Sequence, residues 1–392
     1  MRLTGNGNIR VNLNDIAIVV SFLMLKTTFF LNNTVCRLLM ASLLVYLLKR
    51  FYQIQRNVTK KEVILLLLYM ILSIISTAFN GGTPWQMLQN MIMLIEMIFI
   101  YQVAFQADEE RALSTIYLCI TLYLILNFVL LIIFPEGLIV DIKETLWLLT
   151  SGKFSTGYLC IIWFALTVWK YPKEYVIKFL VVVISMYTLV KIECSTGLAA
   201  FAVIVFIHCL PGVIRHRILN YKFMILSVAI AMYGIVFTQV FLNNALSTYV
   251  IRDILGEDLT LTGRVPIYNI IFDYIAQKPW LGWGYNNTVV PDALGYGNPQ
   301  NGVLQVVLNA GIPAMIFLGG AFIVTLKRIP PKYEGLSLGI YGMLICSIIE
   351  VTFLNTYFYI VLAILFSVKG DSCIRRENNG KKKVRVSAGC KV

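Results

Sequence analysis

Charge is scarce in this chain: 14% of its 392 residues are Asp, Glu, Lys or Arg, against 58% hydrophobic, and the mean hydropathy is +0.77. So apolar a composition excludes an ordinary soluble domain. Histidine is rarer still, with only His208 and His216. The eight cysteines (Cys36, Cys119, Cys160, Cys194, Cys209, Cys346, Cys373 and Cys390) form no CxxC pair and have no metal-ligand spacing, so neither a disulfide framework nor a structural metal is expected. The absence of an internal repeat disfavours transporter folds built from duplicated halves. The polar start MRLTGNGNIR leads into an apolar run that holds Lys26 and lacks a small-residue cleavage site. That run therefore reads as an uncleaved helix, with the mature chain expected to begin near Met1.

Present instead are apolar runs of about 15 to 25 residues, recurring from end to end, each able to cross roughly 30 Å of hydrocarbon as a helix. The expected spans are 15–34, 36–48, 62–79, 87–106, 113–134, 155–170, 175–193, 196–211, 222–242, 301–326, 335–352 and 354–368. The fold class is thus an all-α polytopic membrane protein of about twelve transmembrane helices. Basic residues are retained at cytoplasmic helix ends, and most of the 33 Lys and Arg fall in alternate segments, which places both termini in the cytoplasm. The outer segments keep Lys143, Lys153, Lys191, Arg252, Arg264 and Lys278. Residues 1–368 form a single transmembrane domain, and 369–392 a basic, disordered cytoplasmic tail lying near anionic headgroups rather than on nucleic acid.

One connection is far longer than the rest, the outer loop 243–300, and loops of that length carry function. Within it Thr262 can cap an amphipathic helix whose apolar positions Ile267, Ile270, Ile271 and Tyr274 recur at helical spacing, with Asn269, Asp273 and Gln277 on another face. Pro266 is tolerated in the first turn, and the helix is expected to lie along the membrane surface and stop at Lys278-Pro279. Arg264 at its start joins a fork of donors to free helix-start amides, a combination suited to phosphate or pyrophosphate. The turn WLGWG (Trp280 to Gly284) lets backbone approach a ligand closely and offers flat faces for sugar rings. Each signal is weak alone: Arg264 by itself reads first as a headgroup-snorkelling or loop-bracing residue, Trp85 and Trp147 read as an interfacial aromatic belt, and Lys143 and Arg252 as solvated charge.

The segments TGR (262–264), YNIIFDYIAQKPWLGWGYNN (268–287) and NPQNGVLQVVLNAGIP (298–313) resemble the signature of the bacterial O-antigen polymerase and O-antigen ligase family. SGKFSTGYLCIIWFAL (151–166) is similar to a lysine-phenylalanine-tyrosine helix start in capsular polysaccharide polymerases of that family, and IECSTGLAAF (192–201) to a serine-threonine-glycine helix start. The resemblance implies a GT-C-like architecture in the bacterial plasma membrane. It also implies a metal-independent, inverting glycosyl transfer on the outer face, from a glycan on undecaprenyl pyrophosphate to a sugar hydroxyl, without cofactor. Arg264 is then the catalytic residue that stabilises the departing pyrophosphate. Lys153, Tyr158, Lys191, Arg252, Lys278, Trp280, Gly282, Trp283, Gly284, Gln300 and Asn301 are the candidate substrate contacts. Expected partners are the lipid-linked oligosaccharide and membrane lipids, together with a repeat-unit flippase and a chain-length regulator; no nucleic acid is among them.

The chain departs from the ligase pattern at one informative place. Ligases carry a histidine before the asparagine that opens the helix after the loop, whereas Gln300 precedes Asn301 here. Glutamine can orient a hydroxyl but cannot take its proton. His208 and His216 fall at cytoplasmic ends, and among Glu96, Glu193, Asp273, Asp292 and Glu350 the base stays unassigned. A polymerase of lipid-linked repeat units for capsule, exopolysaccharide or O-antigen is the leading reading. A ligase onto a surface acceptor, a flippase of lipid-linked sugars and a polytopic scaffold are the alternatives.

Overall fold

A computed structural model describes residues 12–25, 33–58, 60–137, 139–140, 146–147, 152–237, 264–295, 298–353 and 355–368. Lys26, Lys143, Arg252, Thr262 and the tail 369–392 lie outside the described residues. The helices are α1 (Leu13–Met24), α2 (Asn33–Lys49), α3 (Phe51–Val58), α4 (Lys61–Phe79), α5 (Pro84–Ala107), α6 (Glu109–Ile133), α7 (Lys153–Lys170), α8 (Tyr175–Lys191) and α9 (Ser195–Cys209). They continue with α10 (Gly212–Ile218), α11 (Tyr221–Phe237), α12 (Arg264–Gln277), α13 (Val289–Leu294), α14 (Gly302–Leu326), α15 (Glu334–Ile349) and α16 (Thr356–Ser367). A two-residue antiparallel pair, Ile139–Val140 with Leu146–Trp147, is the sole β-structure among the described residues.

Among the described residues, four helices, α4, α5, α6 and α14, are each long and apolar enough to cross a membrane, while α1, α9, α11 and α16 are apolar but shorter. Length alone thus carries four of the expected spans. The side chains sort as they do in a protein surrounded by lipid. Helices α7, α15 and α16 are buried along nearly their whole length. In contrast, α6, α8 and α11 expose Leu122, Ile125, Phe179, Val183, Leu226 and Ile230. A continuous exposed apolar belt of this kind needs hydrocarbon to cover it. Small residues set the central packing: Gly335 and Gly339, one turn apart on α15, let its backbone close on Ala165 of α7, where any Cβ would collide.

Hairpin connections align the helix ends. At one end Arg111 pairs with buried Asp15 (2.5 Å), Arg328 with Glu62 (2.6 Å), Lys332 with Glu109 (3.8 Å), and Arg215 with Glu334. These four pairs tie the starts of α1, α4, α6 and α15 to one another's neighbours. At the opposite end lie the end of α4, the starts of α7, α9 and α14, and the end of α15, and the sequence motifs gather there.

Candidate functional site

Helix α14 is two helices joined at Gly311, whose backbone (φ 84°, ψ 172°) is open only to glycine. The reason is local chemistry. Pro313 has no N–H to offer the carbonyl four residues back, that of Asn309. The loop after α12 supplies what the broken helix lacks. The Gly284 amide and the Ser76 hydroxyl of α4 donate to the Asn309 carbonyl (2.9 and 2.6 Å), the Trp283 amide donates to Leu308 O (2.7 Å), and the Ile312 amide donates to Pro279 O (2.8 Å). Gly282 lies so close to this seam that a Cβ would strike the backbone of Leu308 to Ala310.

Side chains lock the seam from both sides. The Lys278 amine donates to Asn80 Oδ1 (2.6 Å) and sits 4.0 Å from the centre of the Trp283 ring, a cation–π contact. Asn80 Nδ2 donates in turn to the carbonyls of Ser76 (2.8 Å) and Gly282 (3.1 Å). Trp283 spends its indole N–H on the Tyr274 carbonyl (2.9 Å) and stands edge-on to the Tyr274 ring. Asn309 Oδ1 receives both Asn287 Nδ2 (3.0 Å) and Gln305 Nε2 (2.7 Å). The close approach that WLGWG permits is therefore made to the chain itself. Trp280 alone of that turn stands out, 72% exposed.

Helix α12 forms over the expected span, with Ile267 and Ile271 fully buried and Asp273 and Gln277 exposed. Its apolar face is covered by Leu304 and Leu308 of α14 and Val290 of α13 in a small core of its own. The expectation of a helix resting on the membrane is corrected in that respect: protein covers the face that was read as lipid-seeking. Because the end of α12 meets Ile312 and the Tyr268 hydroxyl, near its start, donates to the Gln300 carbonyl (3.2 Å), α12 runs parallel to the first half of α14. Arg264 opens α12 one turn before Tyr268, at the Gln300 end. At a rise of about 1.5 Å per residue, Gln300 is on the order of 12 Å from the seam along α14, and Arg264 about 21 Å from Lys278 along α12.

The start of α14 meets three other elements. Asn301, fully buried, caps the helix by accepting from the Leu304 amide (2.9 Å) and ties it to α15 by donating to Ile348 O (2.7 Å). Gly302 packs on the Glu350 carbonyl, where a Cβ would stand 3.2 Å away. The buried Glu350 carboxylate accepts from the Thr196 hydroxyl of α9 at a long 3.5 Å. Tyr158 of α7 is hydrogen-bonded to Thr352 (3.3 Å). Helices α7 and α9 cross glycine to glycine, a Cβ on Gly157 lying 3.4 Å from Gly197 Cα and 3.2 Å from Cys194 Sγ. Lys153, half-buried, opens α7 one turn before Gly157, and Lys191 is exposed at the end of α8. Gln300 and Glu193, ahead of the starts of α14 and α9, both hold left-handed backbones (φ 49° and 52°), an expense typical of functional sites.

The candidates thus fall into two groups. Arg264, Gln300, Asn301, Lys153 and Tyr158 lie on elements that converge at the helix starts, whereas Lys278, Trp280, Gly282, Trp283 and Gly284 belong to the seam; Lys191 ends α8, the helix that leads into α9. Sequence reasoning did not bring in Ser76 and Asn80, or the union of Thr196 with Glu350. The spacing of Pro313 from Asn309 could have signalled the broken helix. His208 and His216 lie at the opposite, ion-paired end, where Arg215 donates to the His208 carbonyl (2.8 Å).

These features define a polytopic helical membrane protein with a cluster of polar helix starts at one end of its bundle. Residues 180–319, less than half of the chain, match the family model described as O-antigen ligase, and in that stretch the chain is similar to that family. The matched stretch runs from α8 through the α14 kink and holds the α9 start, α12, the seam and Asn301. No curated protein matches the chain.

Proposed function

We propose that the protein is a polymerase that joins undecaprenyl-pyrophosphate-linked repeat units on the outer face of the plasma membrane, by metal-independent inverting transfer. The observation that carries this reading is the parallel course of α12 and the first half of α14, which sets the Arg264 turn beside Gln300. A guanidinium at a helix start neutralises charge as it develops on the departing diphosphate, and pyrophosphate is already a good leaving group. Lys153 brings a second positive charge to the same end of the bundle. Gln300, in place of the ligase histidine, favours polymerisation over ligation. The remote position of both histidines leaves acceptor activation to another group.

Reconstituted in liposomes with lipid-linked repeat units, the protein is expected to build a ladder of longer glycans without nucleotide or added metal. Arg264→Ala removes the ladder at least 100-fold, about 2.7 kcal/mol of barrier, while insertion stays normal. Arg264→Lys stays poor because an ammonium lacks the bidentate fork. Substrate that crosses the bilayer without growing identifies a flippase instead, and growth only onto a separate acceptor identifies a ligase.

A further inference from the structure

We infer that Glu350 is the base that takes the proton from the attacking sugar hydroxyl, an assignment that rests on the transfer reading above. At the motif end of the bundle Glu193, Asp273 and Asp292 are exposed, whereas Glu350 is only 8% exposed. It stands where α9 and α14 both begin: Thr196 reaches its Oε1 (3.5 Å), and Gly302 rests against its backbone. The start of α9, where Thr196 sits, directs its partial positive charge at this carboxylate. Gln300, two residues ahead of Gly302, has a buried Oε1 with no hydrogen-bond partner among the described residues, an acceptor able to orient the incoming hydroxyl. Gly157 and Gly197 let α7 and α9 close on each other, and Gly302 lets α14 close on the Glu350 backbone, where a Cβ would crowd each contact.

In the transfer the acceptor oxygen bonds to the anomeric carbon as its proton passes to the Glu350 carboxylate. The bond from that carbon to the pyrophosphate oxygen breaks, and its electron pair leaves on the diphosphate, which Arg264 neutralises. Glu350 then returns the proton to solvent. Among the described residues, titratable groups that face it include Tyr158 of α7, Cys194 at the start of α9 and Cys346 of α15, and Lys153 acts on Cys194 from the α7 start.

The test measures the glycan ladder in liposomes as a function of pH for the wild type, Glu350→Gln, Glu350→Asp and Arg264→Ala. Glu350→Gln is expected to lower kcat by about 100-fold or more, with donor KM within about twofold, and to abolish the acid limb of the rate profile. Glu350→Asp retains that limb at reduced rate. If Glu350→Gln keeps full kcat, or raises KM alone, while Arg264→Ala is inactive, the base assignment falls and the polymerase reading stands. A wild-type protein that builds no ladder overturns both. Should Glu350→Gln fail to insert, Glu350→Asp and Thr196→Val decide: each is expected to lose at least about tenfold in kcat, and undiminished kcat in both overturns the assignment.

Discussion

The seam at Gly311 and the cluster of helix starts sit at the same end of the bundle, yet they differ in how far their polar groups are turned on the chain. In the seam the donors and acceptors are turned on the chain: Lys278, Asn80, Trp283, Asn287 and Asn309 bond one another and the broken backbone of α14. At the helix starts, Gln300 keeps a buried Oε1 that has no partner among the described residues. A motif dense in glycine and tryptophan therefore need not touch substrate. Here its residues hold α12 against α14, and so fix where the Arg264 turn lies relative to Gln300.

This contrast can be broken most sharply at the kink itself. Gly311→Val places a branched Cβ on the Trp280 carbonyl and demands a backbone closed to valine, so a loss of about 3 kcal/mol or more is expected, seen as a collapse in the yield of folded protein by fluorescence-detected size exclusion. Asn80→Ala is milder. It strips Lys278 and the Gly282 carbonyl of a partner, and should cost about 1 to 3 kcal/mol, read as a lower melting temperature in detergent, with the ladder reduced only in proportion to the folded fraction. Trp280→Ala should be smallest, within about 0.5 kcal/mol in stability because the ring is exposed, and a rise in donor or acceptor KM would reveal a sugar stacking there. If Asn80→Ala instead lowers kcat at an unchanged melting temperature, the seam has a chemical role and the contrast fails.

The amphipathic pattern of 267–274 was legible as a helix because burial of Ile267 and Ile271 follows the 3.6-residue period that the sequence displays. What covers that face was not legible, since leucines from α14 and lipid tails are equally apolar partners. Asn301 as a helix start could be read from its residue type, and its side chain does cap α14. The span 301–326 read as one helix because apolar content persists through Gly311 and Pro313, and hydropathy is blind to which carbonyl loses its donor. Ser76 bonds a carbonyl 233 residues away and Asn80 bonds groups 198 and 202 residues away, and neither carries a local mark of that duty.

Composition and charge placement by themselves determine that this chain is a bundle of apolar helices, because hydrocarbon admits no unpaired backbone and makes every long apolar run helical. The tertiary structure alone decides which polar residues are spent on the fold and which remain open. That division depends on contacts between segments such as Thr196 and Glu350, 154 residues apart, and no periodicity in the sequence encodes a hydrogen bond over that separation.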